Sequence, residues 1–542
     1  MNKKVLNTLE FNKIIDRLTA LAGSDRGREY CNKLHPVSDI DKIKERQEET
    51  SAALGRILRD GSVSFSGTFD PGFYLKRLSI GSSLTMSELL KIASLLTVAK
   101  RVKRYGSSGR LETEDVLAGY FNELEPLSPI SDEITRCILS EEEMADDASP
   151  GLKNARRQIG ILNERIRSQM NSMLNSASVR DCLQDTVITM RGGRYCLPVR
   201  AEFKSQVPGM VHDQSGSGAT LFIEPSSVVE LNNKLREAEL EEKAEIEKVL
   251  AELSIKVSEV SDEVRNDFRI LSSLDFIFAK GMLAKEQNAM FPELNTEGRI
   301  YLRKARHPLL DPKKVVPIDV YLGDEFDQLI ITGPNTGGKT VSLKTVGLLT
   351  LMAQSGLHIP AGDRSVIAVF NDVYADIGDE QSIEQSLSTF SSHMTNIVYI
   401  LGQVESPQKA ERSALVLFDE LCAGTDPSEG AALATAILAR LHRDGIRTMA
   451  TTHYSELKVY ALTTDGVENG SCEFSLETLS PTYRLLIGVP GKSNAFAISG
   501  KLGLKLDLIE DARNRVEDTV QSLEDLFTDL EENRIAMEHD RD

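Results

Sequence analysis

The segment "FDQLIITGPNTGGKTVSLKTVGLL", residues 326–349, joins an apolar run, a glycine-rich loop and a helix-compatible run. This order predicts a complete phosphate loop in the strand-loop-helix context that the motif requires. The glycines let backbone N–H groups converge on phosphates, and the start of the helix adds positive potential. We expect Lys339 to reach the terminal phosphates and Thr340 to offer its hydroxyl to magnesium. The predicted phosphate-binding residues are Gly333, Pro334, Asn335, Thr336, Gly337, Gly338, Lys339 and Thr340.

A second motif, "SALVLFDELCAGTDPSEG", covers residues 413–430 and begins with an apolar run that predicts a buried strand. The strand would deliver Asp419 and Glu420 to its carboxyl end, where open α/β sheets bind their ligands. Asp419 is suited to hold magnesium, directly or through water, and Glu420 to position or deprotonate an attacking water. The alternative is that two adjacent acids only solubilise the end of a strand, and the phosphate loop upstream disfavours it.

Two further segments could complete this site. "GIRTMATTHYSEL", residues 445–457, predicts another buried strand that leads to His453, whose imidazole could hydrogen-bond a γ-phosphate. A purely structural histidine is the alternative. "QSLSTFSSHM", residues 385–394, has no formally charged side chain in a chain that is 27% charged. A helix N-terminus with hydroxyls and no carboxylate is a competent anion surface, and a polar surface loop is the alternative.

Length, charge and cysteine content bound the class of protein. The chain has 542 residues, a length that predicts about three or four domains. Its net charge of −19 repels polyanions, so any nucleic-acid binding would need local basic surfaces. The six cysteines are far apart and lack zinc-site spacing, so we expect reduced, mostly buried thiols. Apolar runs fall short of the roughly 18 residues of a membrane helix, and the start lacks a signal-peptide core. A cytoplasmic protein without membrane contact is predicted.

The hydrophobic pattern predicts a multidomain protein of α and α/β type. Residues 1–120 predict an N-terminal helical core domain. Residues 121–290 predict a lever and clamp arm, in which one helix leads out to a small β tip at about 181–225 and a second helix leads back. Strand, loop and helix alternate in residues 291–510, as in a phosphate-loop ATPase domain, and residues 511–542 predict an acidic helical segment.

The predicted arm tip is a candidate contact for a nucleic-acid backbone, because four basic residues cluster there. Five acidic residues in 181–225 offset them, so ordinary strand-surface charges are the alternative. The four candidate residues are Arg191, Arg194, Arg200 and Lys204.

The order of these motifs resembles the ABC-type ATPases and, within them, the MutS family. The resemblance is specific in "TGPNTGGKT", in "STF" followed by "HMTNI", in "DELCAGTDPSEG", in "TTHYSEL" and in "GKSNAFAISGKLGL" near residue 500. Before residue 291 the match is weaker and depends mainly on "HDQSGSGATLFIEP", residues 212–225, which resembles the second bacterial MutS type. Because helices and the arm take up the chain before the phosphate loop, we do not expect the mismatch-recognition and connector domains of the repair enzymes here.

The resemblance implies a homodimer with ATP and Mg²⁺ as cofactors. Each nucleotide would be held by the phosphate loop of one subunit and by a signature segment of the other, here Ser388 and Thr389. Branched or recombining DNA is the implied substrate and suppression of recombination the implied role. The alternative is a ribosome-binding and rRNA-binding ATPase that splits stalled or collided ribosomes for quality control.

Three expectations limit this assignment. Members of the second type usually carry a C-terminal Smr nuclease domain, and because this sequence ends in a helix before one, we expect ATP hydrolysis without endonuclease activity. A transport ATPase subunit is disfavoured because the glycine-rich transporter signature is absent. A coiled-coil organiser is disfavoured because the heptad pattern extends only from Ile246 to Val264.

Overall fold

The structure is a computed structural model that describes residues 2–107, 115–333, 337–378, 389–405, 413–475, 480–491 and 495–515. The predicted acidic helical segment, 511–542, lies mostly outside these residues. The helices are Lys3–Thr8 (α1), Phe11–Leu21 (α2), Asp25–Asn32 (α3), Ile40–Asp60 (α4), Gly72–Ser79 (α5), Met86–Ser107 (α6), Ala118–Glu123 (α7), Ser128–Cys137 (α8), Pro150–Leu174 (α9), Ala177–Arg180 (α10), Val229–Glu259 (α11), Ser261–Gln287 (α12), Lys339–Gln354 (α13), Thr389–Val404 (α14), Pro427–Arg443 (α15), Ser455–Thr463 (α16), Ala495–Lys501 (α17) and Leu506–Arg513 (α18). The strands are Thr189–Arg191 (β1), Arg194–Arg200 (β2), Gly209–Gln214 (β3), Thr220–Pro225 (β4), Glu293–Asn295 (β5), Ile300–Ala305 (β6), Ile318–Leu322 (β7), Gln328–Thr332 (β8), Val366–Ala368 (β9), Asp372–Asp376 (β10), Ala414–Phe418 (β11), Arg447–Thr451 (β12), Val467–Ser475 (β13) and Ser480–Ile487 (β14).

The described residues form two compact units. The first contains those within 1–64, 109–119 and 273–542, and the second those within 65–108 and 120–272. Mixed α and β structure in several sheets makes this a multidomain α/β protein, as predicted. The two units cut across the four predicted domains, whose boundaries stay predictions.

A six-stranded sheet organises the first unit, in the order β10-β11-β12-β8-β13-β14. All neighbours are parallel except β13 and β14, which are antiparallel. Every residue of β8 and β11 is buried, as expected for strands of a parallel sheet that is covered on both faces. Helix α13 packs on this sheet so closely that a Cβ at Gly347 would lie 2.6 Å from Leu417 Cδ1. A second sheet has the order β5-β9-β6-β7.

Helix α4 is joined to the end of α13 by buried hydrogen bonds. Gln47 donates its amide to the carbonyls of Ala353 and Leu357, at 2.9 and 2.8 Å, and the Thr50 hydroxyl donates to the carbonyl of Gly356 at 2.7 Å. The three carbonyls lie in the last turn of α13 and just after it, where helix-internal donors run out. Residues of the predicted N-terminal helical domain therefore belong to the same unit as the predicted ATPase domain.

The second unit contains residues 121–272 of the predicted arm. Helices α9 and α11 pack against each other, and the Arg156 guanidinium donates to Glu242 at 2.8 Å between them. The four-stranded antiparallel sheet β1-β2-β4-β3 lies between the two helices in sequence. Several of its buried residues form one apolar cluster with Leu162, Ile166 and Met170 of α9, namely Tyr195, Leu197, Val199 and Ile223. The predicted order of helix, β element and helix is found, but α11 ends at Glu259, so the pattern up to Val264 crosses a helix break.

Two further properties of the described residues concern their thiols and the length of their apolar helices. All six cysteines are buried and none forms a disulfide. Among the residues described, no helix is both long enough and apolar enough to cross a membrane.

Candidate functional site

Three strand ends meet at the carboxyl edge of the six-stranded sheet. Strand β12 lies between β8 and β11, and its Thr451 is aligned with Ile331 of β8. On its other side Phe418, the last residue of β11, is aligned with Ala450. The segments that follow these strands are the phosphate loop, the acidic pair and the histidine segment. Parallel pairing therefore brings the three sequence motifs to one edge, where such sheets bind ligands.

The glycine-rich loop leads from β8 into α13. Gly333 and Gly338 have φ values of 126° and 97°, in the left-handed region that favours glycine. Lys339, the first residue of α13, is buried and donates its ammonium to the carbonyl of Gly333 at 2.7 Å. Burial lowers the pKa of Lys339, and the carboxylates of Glu420 and Asp419 oppose that shift. The ammonium is thus held inside the loop; Pro334, Asn335 and Thr336 lie outside the described residues.

Asp419 is joined to the first turn of α13 and to the end of β12 through both of its carboxylate oxygens. The Thr340 hydroxyl donates to Oδ2 at 2.7 Å, and the Thr451 hydroxyl donates to Oδ1 at 2.6 Å. Thr451 also accepts the backbone N–H of Glu420 at 2.8 Å. Thr451 therefore contacts both acidic residues and holds them at the edge of the sheet.

The oxygen atoms of Thr340 and Asp419 fit a magnesium ion by their chemistry. A hydroxyl and a carboxylate are hard oxygen donors, and Mg²⁺ prefers one or two such protein ligands together with phosphate oxygens and water. Within the described residues no group of three or more His, Cys, Asp or Glu side chains is placed to bind a metal. These two residues are the ones that could hold Mg²⁺ beside a nucleotide.

Glu420 has a backbone conformation that is rare outside glycine. Its φ is 48°, and such strain in a residue other than glycine is often found at functional sites. Its carboxylate lies 3.2 Å from Nε2 of His453, and the ring nitrogens of His453 lie 3.3 and 3.4 Å from the ammonium of Lys339. The structure thus brings Lys339, Glu420 and His453 together, and Glu420 and His453 remain partly exposed to solvent.

Thr451 is a residue of this site that sequence reasoning missed. It lies at the end of an apolar run and only two residues before His453, so the sequence assigned it to the buried strand and gave it no role in the site. Its role depends on the alignment of β12 with β11 and β8, which a single sequence does not provide. A buried hydroxyl residue at the end of a strand, beside a catalytic motif, is the signal that could have found it.

The Thr451→Val variant is expected to hydrolyse ATP about tenfold more slowly, because the buried Asp419 carboxylate and Glu420 amide each lose a hydrogen bond worth ~1–3 kcal/mol. Valine has nearly the same shape, so the sheet should remain intact. Steady-state kinetics would measure kcat and KM. Thr451→Ser keeps the hydroxyl and serves as the matched control; equal rates for the two variants would show that the hydroxyl has no such role.

One of the two predicted signature residues lies within the described part of the chain. Thr389 is the first residue of this helix, and Ser388 lies outside the described residues. Their predicted contact with a nucleotide of a second subunit stays a prediction.

The four candidate basic residues of the arm tip differ in their surroundings. Arg194 donates to the fully buried Glu224 at 2.8 Å, and Arg191 lies 3.2 Å from Asp213 with its guanidinium 4.1 Å above the Phe222 ring. These two arginines hold the small sheet together. Arg200 and Lys204 are exposed. A role of the four in nucleic-acid binding stays a prediction, and the two exposed residues are the better test of it.

Comparison with known proteins covers the whole chain. MutS domain V matches residues 329–519. Endonuclease MutS2 of Agathobacter rectalis is 61% identical over 539 residues, which are 99% of this chain and 67% of that protein. The proteins of the same name from Lachnoclostridium phytofermentans and Acetivibrio thermocellus are 59% and 51% identical, over 100% of this chain and 68% of each relative. The resemblance seen in the motifs is confirmed: this chain belongs to the MutS family and to its second type.

Proposed function

We propose that this chain is an ATP-hydrolysing homodimeric clamp that binds branched or recombining DNA in the cytoplasm and suppresses homologous recombination. The observation that supports it best is the hydrogen-bonded group of Thr340, Asp419, Thr451 and Glu420 beside the ammonium of Lys339. The relatives named above carry the word endonuclease in their names. For this chain we propose ATP hydrolysis, and no DNA cleavage, as the activity of the described site.

The chemistry assigned to each residue follows from its position. Lys339 would pair with the terminal phosphates of ATP, and Thr340 and Asp419 would hold Mg²⁺, which would supply positive charge to neutralise the phosphates. Glu420, whose carboxylate contacts His453, positions or deprotonates the attacking water. His453 can reach the γ-phosphate because it lies beside Lys339.

The proposed dimer makes nucleotide binding a switch. In the closed state ATP contacts the phosphate loop of one subunit and the Ser388 and Thr389 segment of the other, whereas in the open state it contacts one subunit only. A ligand shifts an equilibrium by its difference in affinity between the two states. ATP therefore favours closure, and hydrolysis allows the arms to reopen.

The proposed DNA contact is tested by reversing two exposed charges on the arm tip. The double variant Arg200→Glu and Lys204→Glu is expected to bind four-way junction DNA about tenfold or more weakly, with a smaller salt dependence, because phosphate contacts release counterions. ATP hydrolysis without DNA should be unchanged. Equilibrium binding at several salt concentrations would measure both quantities.

The control double variant, Lys313→Glu and Lys314→Glu, makes the same charge change on exposed residues between β6 and β7. An equal loss of binding in the control would show that total charge, and not the arm tip, governs affinity. If the unmodified protein fails to bind junction DNA but sediments with ribosomes in the presence of ATP, the DNA assignment is wrong. That result would favour the ribosome-splitting alternative instead.

A further inference from the structure

Asp376, the last residue of β10, holds helix α14 through both oxygens of a buried carboxylate. Nδ1 of His393 lies 2.8 Å from Oδ2, and the Asn396 side chain donates to Oδ1, also at 2.8 Å. Asn396 and His393 are three residues apart, so they lie on one face of the helix. A Cβ at Gly378 would lie 2.8 Å from the His393 ring, so glycine there leaves room for the pair.

The same residue contacts the strand end that carries the acidic pair. The backbone carbonyl of Asp376 accepts the N–H of Asp419 at 2.8 Å, and Asp376 is aligned with Phe418 in the parallel pair β10 and β11. Asp376 therefore contacts α14 through its own side chain and the Asp419 loop through its own backbone carbonyl. No motif of the sequence analysis includes Asp376.

Charge strengthens the attachment to α14. The hydrogen bond with Asp376 raises the pKa of His393, and the nearby carboxylates of Asp419 and Glu420 raise it further. Hydrogen bonds between charged partners are stronger than neutral ones. The ammonium of Lys4 adds a third tie, because it donates to the Asn396 side chain at 2.7 Å. The start of α14 is thereby fixed relative to the sheet.

We propose that His393 is a positioning residue that acts on the ATP site of the second subunit through the first turn of α14. His393 is the fifth residue of the helix that Thr389 begins. This inference depends on the proposed homodimer, in which the start of α14 faces the partner's nucleotide. Asp376 has two roles: it positions α14 for the partner's site and the Asp419 loop for its own.

A mixing experiment tests whether His393 acts on the partner's site. His393→Ala alone is expected to lower ATP turnover about tenfold, because a buried carboxylate loses a charged donor. Mixed with Lys339→Ala, which lacks the phosphate-loop lysine, it should recover turnover well above either variant alone. In the mixed dimer one site combines the intact loop of the His393→Ala subunit with the intact α14 of the other. Asp376→Asn should recover in the same mixture too, because it keeps the backbone carbonyl that accepts the Asp419 N–H and changes only the side-chain contact with α14.

Three controls accompany the mixing experiment. His393→Asn keeps a donor near the position of Nδ1 and should retain most of the turnover, and thermal melting of all variants would reveal loss of folding. The mixture of Ser388→Arg with Lys339→Ala reports on the shared site itself. If that mixture recovers and the His393→Ala mixture does not, the proposed role of His393 is wrong. If neither recovers, the shared site is wrong, and the role of His393 fails with it.

Discussion

Glu420→Gln is expected to reduce ATP hydrolysis by about a hundredfold or more while ATP binding is retained, because glutamine has the shape of glutamate but is no base. The side chain of Glu420 is the part-exposed carboxylate next to His453 and Lys339, where a terminal phosphate would lie. Its backbone is held by Thr451, and this bond does not depend on the side chain. The variant should therefore bind nucleotide in the same geometry and fail only in the chemical step.

A protein that binds ATP without hydrolysing it should accumulate in the closed dimeric state. Light scattering of Glu420→Gln with ATP and Mg²⁺ is expected to give the mass of a dimer, and single-turnover kinetics would give the rate of the chemical step. Glu429→Gln changes an exposed carboxylate in the first turn of α15 and is the matched control. A monomer under these conditions, or hydrolysis at the rate of the control, would contradict the mechanism.

The nucleotide site could be predicted from sequence because each of its parts is a local pattern. An apolar run of five residues followed by a glycine loop, an acidic pair or a histidine identifies a strand and the group at its end. The carboxyl ends of parallel strands share one edge, so Lys339, Asp419, Glu420 and His453 could be grouped without knowing the strand order.

The residues that were missed are those whose partners depend on strand order. Thr451 contacts Asp419 because β12 lies beside β11, and Asp376 contacts Asp419 because β10 lies on the other side of β11. A single sequence does not show which strands lie beside each other in the sheet. The same holds for Gln47 and Thr50 of α4, whose partners are more than three hundred residues away. The hydrophobic pattern predicted a helical domain over residues 1–120 but gave no information on what the buried polar residues of α4 bind.

Lys339→Ala is expected to lower ATP turnover by about a hundredfold or more, because in the proposed mechanism this buried ammonium pairs with the terminal phosphates in a low-dielectric site. The matched control is Lys344→Ala, which removes a lysine of the same helix that lies 3.6 Å from Glu10 and should leave turnover unchanged. Isotope-release assays over a range of ATP concentrations would separate kcat from KM. If Lys339→Ala hydrolyses ATP at the rate of Lys344→Ala, the assignment of Lys339 to the ATP site is wrong.

The inactive Lys339→Ala subunit then tests whether the site is shared. Ser388→Arg places a long side chain where the proposed dimer closes over the partner's phosphate, so it too should be inactive alone. In a mixed dimer one site has both defects and the other has none, because the defects lie on opposite sides of each nucleotide. Turnover should therefore rise above that of either variant as the two are mixed. If the mixture remains at the level of the separate variants, each ATP site is contained within one subunit, and Ser388 acts on its own chain.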